Sequence, residues 1–340
     1  MGLTSKEACV AVTTVLGGSW VGTPKIVFVV PDTMIRLWDY MPDIELMINS
    51  IRWRWGRPSA SSIWVDSGGY QIMVKGMKLS VEDVFNRYKG IDGDYFMSLD
   101  IPPSRFCYAT KELVKENIKN FEYLYTKLDH KNIIPVIHCY ESSLLFNAID
   151  VYQSYGVKVV AYGGAVPPSL AKGGKGSRTT PLIPLAILTK LFEGNVHALG
   201  IGGTSTLYTA LKIIGVRSLD SSSWRVKAAY GKVIVPGYGE RYVGNGKASF
   251  GRKDLSKNEF EKLIEALQKS GFPYIDEVDM LIKSFRGRAI INAWIVRHYP
   301  DVFEDGNGYS WIVKYAEALS KLSIDELVEM LDKRIKSIYD

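Results

Sequence analysis

Cysteine is scarce in this chain: Cys9, Cys107 and Cys139 are the only three in 340 residues, and no two of them form a CxxC or CxC pair. That scarcity excludes a disulfide-stapled scaffold and a clustered structural zinc site. The sequence therefore predicts three isolated thiols in a reducing cytoplasm, with no metal and no cofactor. Long apolar runs are missing too. Nothing approaches the roughly 18 uninterrupted apolar residues of a membrane span. The first 20 residues hold one basic side chain, Lys6, so the sequence predicts neither a secretion signal nor a membrane partner. Charge of one sign is only mildly in excess. The 42 Lys and Arg against 36 Asp and Glu give +6, which permits a polyanionic partner without requiring one. There is no internal repeat and no low-complexity tract, the nearest being the short basic loop "AKGGKGSR" (171–178).

What is present is an alternation. "KIVFVV" (25–30), "SIWVD" (62–66), "DYFMSLD" (94–100), "NIIPVIH" (132–138), "VKVVAYGG" (157–164), "VHALGIGG" (196–203) and "VRSLDSS" (216–222) are apolar runs of strand length. Several are apolar on both faces, as strands covered on both sides are. Between them lie amphipathic stretches such as 111–128 and 204–215, the latter ending on Gly215 as a C-cap. Strands alternating with helices predict βα units and a parallel sheet. The fold class is α/β, a (β/α)8 TIM-like barrel, with the eighth strand at 9–15 or 232–237. Beyond about residue 251 the strands stop. Segments 256–271, 275–299, 306–322 and 323–339 read as helices, the last with a Ser323–Glu326 capping box. The expected organisation is a barrel over 1–250 and a C-terminal helical extension over 251–340 packed on it.

Asp66, Asp100 and Asp220 each close an apolar run, in "IWVDSGG", "FMSLDIPP" and "VRSLDSSS". In a parallel barrel the C-terminal ends of the strands share one rim, so three carboxylates would meet there. Glycine turns reach the same rim in "AYGGAVP" and "LGIGGTS". The ordered series "DSGGYQ" (66–71), "SLDIPP" (98–103), "YGGAVPP" (162–168), "HALGIGG" (197–203) and "RSLDSSSW" (217–224) resembles the motifs of the tRNA-guanine transglycosylase superfamily, over about residues 25–230.

The resemblance implies a base exchange in which guanine in a nucleic acid is replaced by a 7-deazaguanine base. Asp220 would be the nucleophile and Asp66 the general acid/base. Asp100 would read the guanine edge, and Tyr70 and Leu199 would sandwich the base. Gly163 and Gly164 would offer backbone groups, and Ser67 and Gln71 would orient base and sugar. His138 stands where the family usually has glutamine and is either a base contact or a structural histidine. His197 reads as structural. Asp100 could instead simply end its strand before Pro102, and Asp220 could be a helix N-cap. Lys172, Lys175 and Arg178 are placed to hold phosphates at the rim. "IRWRWGRP" (51–58), with Arg52, Arg54 and Arg57, is a second candidate surface or a solvated loop anchored by its tryptophans. The family's usual zinc site of three cysteines and a histidine after the nucleophile has no counterpart, because no cysteine follows Cys139. That leaves the implied partner as DNA or tRNA, with DNA slightly favoured, and a homodimer possible. A partner subunit of the same fold without catalysis is the alternative.

Overall fold

The computed structural model describes residues 22–69, 75–76, 78–103, 107–164, 179–201, 204–244, 252–299 and 311–339. Tyr70, Gln71, Lys172, Lys175, Arg178 and the segment 9–15 lie outside the described residues. In chain order the strands are β1 (Lys25–Val30), β2 (Glu45–Asn49), β3 (Ser62–Asp66), β4 (Tyr95–Met97), β5 (Asn132–Ile134), β6 (Val136–Ile137), β7 (Val160–Tyr162), β8 (Val196–Ala198), β9 (Ser218–Ser221), β10 (Lys232–Val235) and β11 (Gly239–Tyr242). The helices are α1 (Val81–Lys89), α2 (Lys111–Lys127), α3 (Ser142–Ser154), α4 (Leu182–Leu191), α5 (Ser205–Ile214), α6 (Ser223–Ala229), α7 (Lys257–Lys269), α8 (Val278–Leu281), α9 (Phe285–Arg297), α10 (Trp311–Lys321) and α11 (Ile324–Tyr339).

Nine strand segments pair in the order β5-β4-β3-β2-β1-β9-β8-β7-β6, every pair parallel. The two ends of that order, β5 and β6, are separated only by Pro135. They are one strand that changes partner. Ile134 O accepts from Ser98 N beside β4 at 2.8 Å, and Pro135 O accepts from Ala161 N of β7 at 2.9 Å. Proline has no N–H to give to a ladder, so the break costs no sheet bond at that residue, and the ring closes with eight strands in sequence order.

The strand that completes the eight is β2, "ELMIN". This corrects the sequence expectation. "KVIVPG" does form a strand, β10, but it pairs antiparallel with β11 as a separate hairpin outside the barrel. Asn292 of α9 fastens it: its Oδ1 accepts from Ile234 N at 2.7 Å, and its Nδ2 donates to Lys232 O and Trp224 O.

Alternate residues of the strands separate into two cores, as the pleat requires. Val27, Met47, Trp64, Met97, Ile134, Val136 and Ala161 fill the barrel interior. Their neighbours Phe28, Leu46, Ile63, Phe96 and Val160 face outward into the larger core beneath the helices. The C-terminal helices lie on the barrel's own helices, α9 on α6, α10 on α5 and α11 on α4. Ser323 and Glu326 make the expected capping contacts, with Glu326 N donating to Ser323 Oγ at 3.3 Å and Ser323 N to Glu326 Oε2 at 2.7 Å. Gly215 closes α5 at φ 92°. The segment 275–299 is not one helix but a 3-10 turn, α8 and α9. Ser284 restarts the chain there by accepting Gly287 N at 2.9 Å, an N-cap inside an otherwise periodic stretch.

The cysteines differ from expectation as well. Cys107 and Cys139 are joined in a disulfide, both sulfur-bearing residues being buried. The bridge ties the segment after β4 to the end of β6, so it clips two neighbouring rim connections together. Among the described residues, no helix is long and apolar enough to cross a membrane.

Candidate active site

The inward-facing positions at the C-terminal ends of the strands bring Asn49, Asp66, Asp100, His138, Gly163, Leu199 and Asp220 onto one rim, from seven strands. Register explains the first contact. Asn49 and Asp66 are Cα partners of β2 and β3, and Asn49 Nδ2 donates to Asp66 Oδ2 at 2.5 Å. Asp66 Oδ1 accepts from Gly68 N at 3.1 Å. Gly68 has φ 107°, a region few side chains tolerate. The "DSGG" turn thus folds its backbone back onto its own carboxylate.

Asp100 is held from three sides. Oδ1 accepts from Ser67 Oγ at 3.3 Å, and Oδ2 lies 2.8 Å from His138 Nε2. The backbone just beyond it is pinned by Asn117, whose Oδ1 accepts from Ile101 N at 2.7 Å and whose Nδ2 donates to Ile101 O and Tyr140 Oη. Asp100 therefore does more than end a strand before proline. Ser67 is fully buried, and its hydroxyl supports Asp100.

Asp220 sits within β9, and Ser222 is the N-cap of α6 without a side-chain cap bond. The helix-cap reading of Asp220 falls. Its Oδ1 accepts from Gly200 N at 2.6 Å and faces His197 Nε2 at 3.5 Å. Gly200 adopts φ 69° to present that N–H. Oδ2 accepts no hydrogen bond among the described residues.

Gly163 gives its N–H to Ile137 O at 2.8 Å, so that donor belongs to the barrel and is not offered to a ligand. Both glycines are needed for packing: a Cβ on Gly163 would lie 2.7 Å from His138 Cε1, and one on Gly164 2.6 Å from Cys139 N. Leu199 caps the interior apolar cluster at the rim. Arg52 and Arg54 are exposed in the connection that leaves Asn49, near Trp55, which is 45% exposed. Arg57 instead reaches the other end of the barrel, where it pairs with Asp94 at 2.7 Å and Asp92 at 3.2 Å.

No protein-family model matches the chain. Over 326 residues, 92% of this chain and 92% of the relative, it is 32% identical to uncharacterized protein 306 of Sulfolobus islandicus rod-shaped virus 1. The chain belongs to the family of that viral protein.

Burial pushes the Asp66 carboxyl up to about 6, against the hydrogen bonds from Gly68 and Asn49 that favour its charged form; the negative charges of Asp100 and Asp220 add to the rise. That coupling requires the three to lie close together. Asp66 can then hold or release a proton near neutrality, while Asp220 keeps one oxygen without a hydrogen-bond partner among the described residues. Among the described residues no group of three His, Cys, Asp or Glu is arranged to hold a metal ion. A cavity of about 550 Å³ opens at the N-terminal end of the barrel, beside Tyr95, Lys131 and Asn132, and none of the three carboxylates lines it.

Two contributors to the site were not foreseen. Asn49 lies on the strand that sequence reading missed, 17 residues before its partner. His197, read as structural, faces Asp220. Neither carries a local signal, since each acts across a strand pair that only the closed barrel creates.

Proposed function

We propose that this protein is a base-exchange transglycosylase that replaces guanine in a nucleic acid with a 7-deazaguanine base such as preQ0. The observation that carries the reading is the placement at one rim of a carboxyl poised to carry a proton, Asp66, and of Asp220, whose Oδ2 accepts no hydrogen bond among the described residues. Asp220 Oδ2 attacks C1′ of the target nucleotide. The C1′–N9 bond breaks, and guanine departs with its electron pair and the proton of Asp66. The product is a glycosyl ester on Asp220. An incoming base then loses its N9 proton to Asp66 and attacks C1′, and the ester bond breaks to restore the Asp220 carboxylate. Asp100 accepts from the N1–H and exocyclic amine of guanine, donors that adenine does not present together. Its lone pairs beyond those used by Ser67 and His138 serve that purpose.

DNA is the favoured polymer, because the cysteine-rich zinc segment that the resemblance links to tRNA binding is absent from the sequence. The target nucleotide must leave its stack to reach the rim. Arg52 and Arg54, exposed with Trp55 in the connection after Asn49, would meet the flanking backbone. Such a protein would act in the cytoplasm, where burial shields the Cys107–Cys139 bridge from reductants. The test is to incubate the protein with radiolabelled guanine or preQ0 and duplex DNA, single-stranded DNA or bulk tRNA. Label entering DNA supports the proposal. Label entering only tRNA moves the activity to the other polymer, and label entering none refutes exchange and leaves a binding subunit of the same fold.

A further inference from the structure

His197 lies in β8 with its ring inside the barrel and 0% exposure. Its two nitrogens face different neighbours. Nδ1 stands 2.8 Å from Ser218 Oγ, across a registered pair of β8 and β9. Nε2 stands 3.5 Å from Asp220 Oδ1 and has no hydrogen-bond partner of its own. The ring cannot swing away from that position. Trp64 stacks on it with centroids 4.5 Å apart and planes 24° apart. Trp64 is held in turn by Tyr95 at 4.4 Å and by its own Nε1–H donating to Glu45 Oε2 at 3.0 Å. Glu45 is anchored by Lys25 Nζ at 2.9 Å.

We infer that His197 is the positioning residue of the nucleophile: its Nε2–H, aimed by Ser218 and locked by Trp64, fixes Asp220 Oδ1 together with Gly200 N–H and turns Oδ2 toward the substrate. The inference rests on the transglycosylase reading, in which Asp220 attacks. The tautomer follows from charge. A proton on Nδ1 would leave the Nε2 lone pair against a carboxylate oxygen, which is repulsive, whereas a Ser218 hydroxyl that donates to Nδ1 leaves Nε2 as the donor. The 3.5 Å separation is long for a hydrogen bond in the unliganded site, and such contacts tighten when charge and substrate are in place. When the ester on Asp220 breaks, the electron pair returns to the carboxylate, and the fixed Nε2–H stabilises the returning charge as an oxyanion donor does.

Two measurements test this. The full chain has 4 histidines, so ¹⁵N-histidine spectra are sparse, and His197 is assigned by its loss in His197→Asn. The wild type should show His197 as the Nε2–H tautomer, and Asp220→Ala, which removes the acceptor, should convert it to a mixture of tautomers. An Nδ1–H ring in the wild type, or a spectrum unchanged by Asp220→Ala, overturns the inference. In exchange kinetics, His197→Asn can still reach Ser218 but not Asp220 and should lower kcat roughly tenfold to a hundredfold at unchanged KM, the loss expected for a hydrogen bond to a charged group. His197→Gln places an amide N–H where Nε2 was and should recover part of that loss. If both variants lose kcat equally with a raised KM, the role is structural packing and the inference fails. The two layers fail separately. A wild type that exchanges no base on any polymer sinks the transglycosylase reading while the spectra still report the His197–Asp220 contact. An active wild type with an undiminished His197→Asn sinks only the positioning role.

Discussion

Asp66 should make the protein less stable at neutral pH than it would be without that carboxylate. Its folded-state value is about 6 against an ordinary 3.8, and burial is the main cause. A carboxyl whose value rises on folding binds its proton more tightly in the folded state. Its contribution is therefore fully present below about pH 3.8 and is lost as pH rises through 6. The whole shift corresponds to about 3 kcal/mol. Between about pH 4 and about pH 7.5 the part that is lost is roughly 2.4 kcal/mol, because the unfolded carboxyl is already half ionised at the acid end. Asp66→Asn removes that titration. It also removes one acceptor oxygen, so either Gly68 N–H or the Asn49 amide loses its partner, at a pH-independent cost of about 1 kcal/mol. The variant should be slightly less stable than the wild type near pH 4 and more stable by about 1 to 2 kcal/mol near pH 7.5. Urea unfolding of both proteins at the two pH values measures this, and the pH-independent cost cancels in the difference. A stability gap between variant and wild type that does not change with pH would mean that Asp66 titrates normally, and its assignment as the proton carrier would fall with it.

Replacing Asp100 by Asn should weaken the preference for guanine while leaving polymer binding intact, as measured by competition between guanine and other purines for label uptake; an unaltered preference would move base reading to another residue. The bridge between Cys107 and Cys139 spans 32 residues, so Cys107→Ser with Cys139→Ser should cost about 3 to 4 kcal/mol by loop-closure entropy, seen in urea midpoints; no loss would mean the thiols are not joined. Arg52→Ala with Arg54→Ala should weaken binding to every sequence alike and flatten the logarithmic salt dependence by up to about two units of slope. Titration of labelled DNA at two salt concentrations checks it, and an unchanged slope would place the polymer elsewhere on the rim.

The parts of the fold that could be read from sequence are those whose signals are local. Seven of the eight barrel strands lie in apolar runs of strand length, several of them apolar on both faces, and Gly215 and Ser323 mark helix ends by chemistry that acts within a few residues. The missed strand, β2, is five residues long, and it begins on Glu45, which sits inside the barrel against Lys25 and Trp64. A charge at an interior position hides the apolar pattern. The three rim aspartates were legible because each stands at or near the C-terminal end of its own strand. The contacts made to them were not, because Asn49, His138 and His197 reach their aspartates across strand pairs, over 17, 38 and 23 residues of chain respectively. The same holds for Cys107 and Cys139, whose meeting depends on β4 and β5 being neighbours. Gly163 and Gly164 were anticipated as ligand-facing backbone, but the Gly163 N–H serves the sheet, and both lack side chains because His138 and Cys139 lie against them.

The central claim is that Asp220 forms the covalent bond. The protein should be incubated with a guanine-containing oligonucleotide without added base, denatured, digested with nuclease and protease, and analysed by mass spectrometry for a glycosyl adduct. The account predicts a nucleotide-derived mass on the peptide carrying Asp220, discharged when guanine or preQ0 is added before denaturation and absent from Asp220→Asn. An adduct on Asp66, or undiminished exchange by Asp220→Asn, would contradict it.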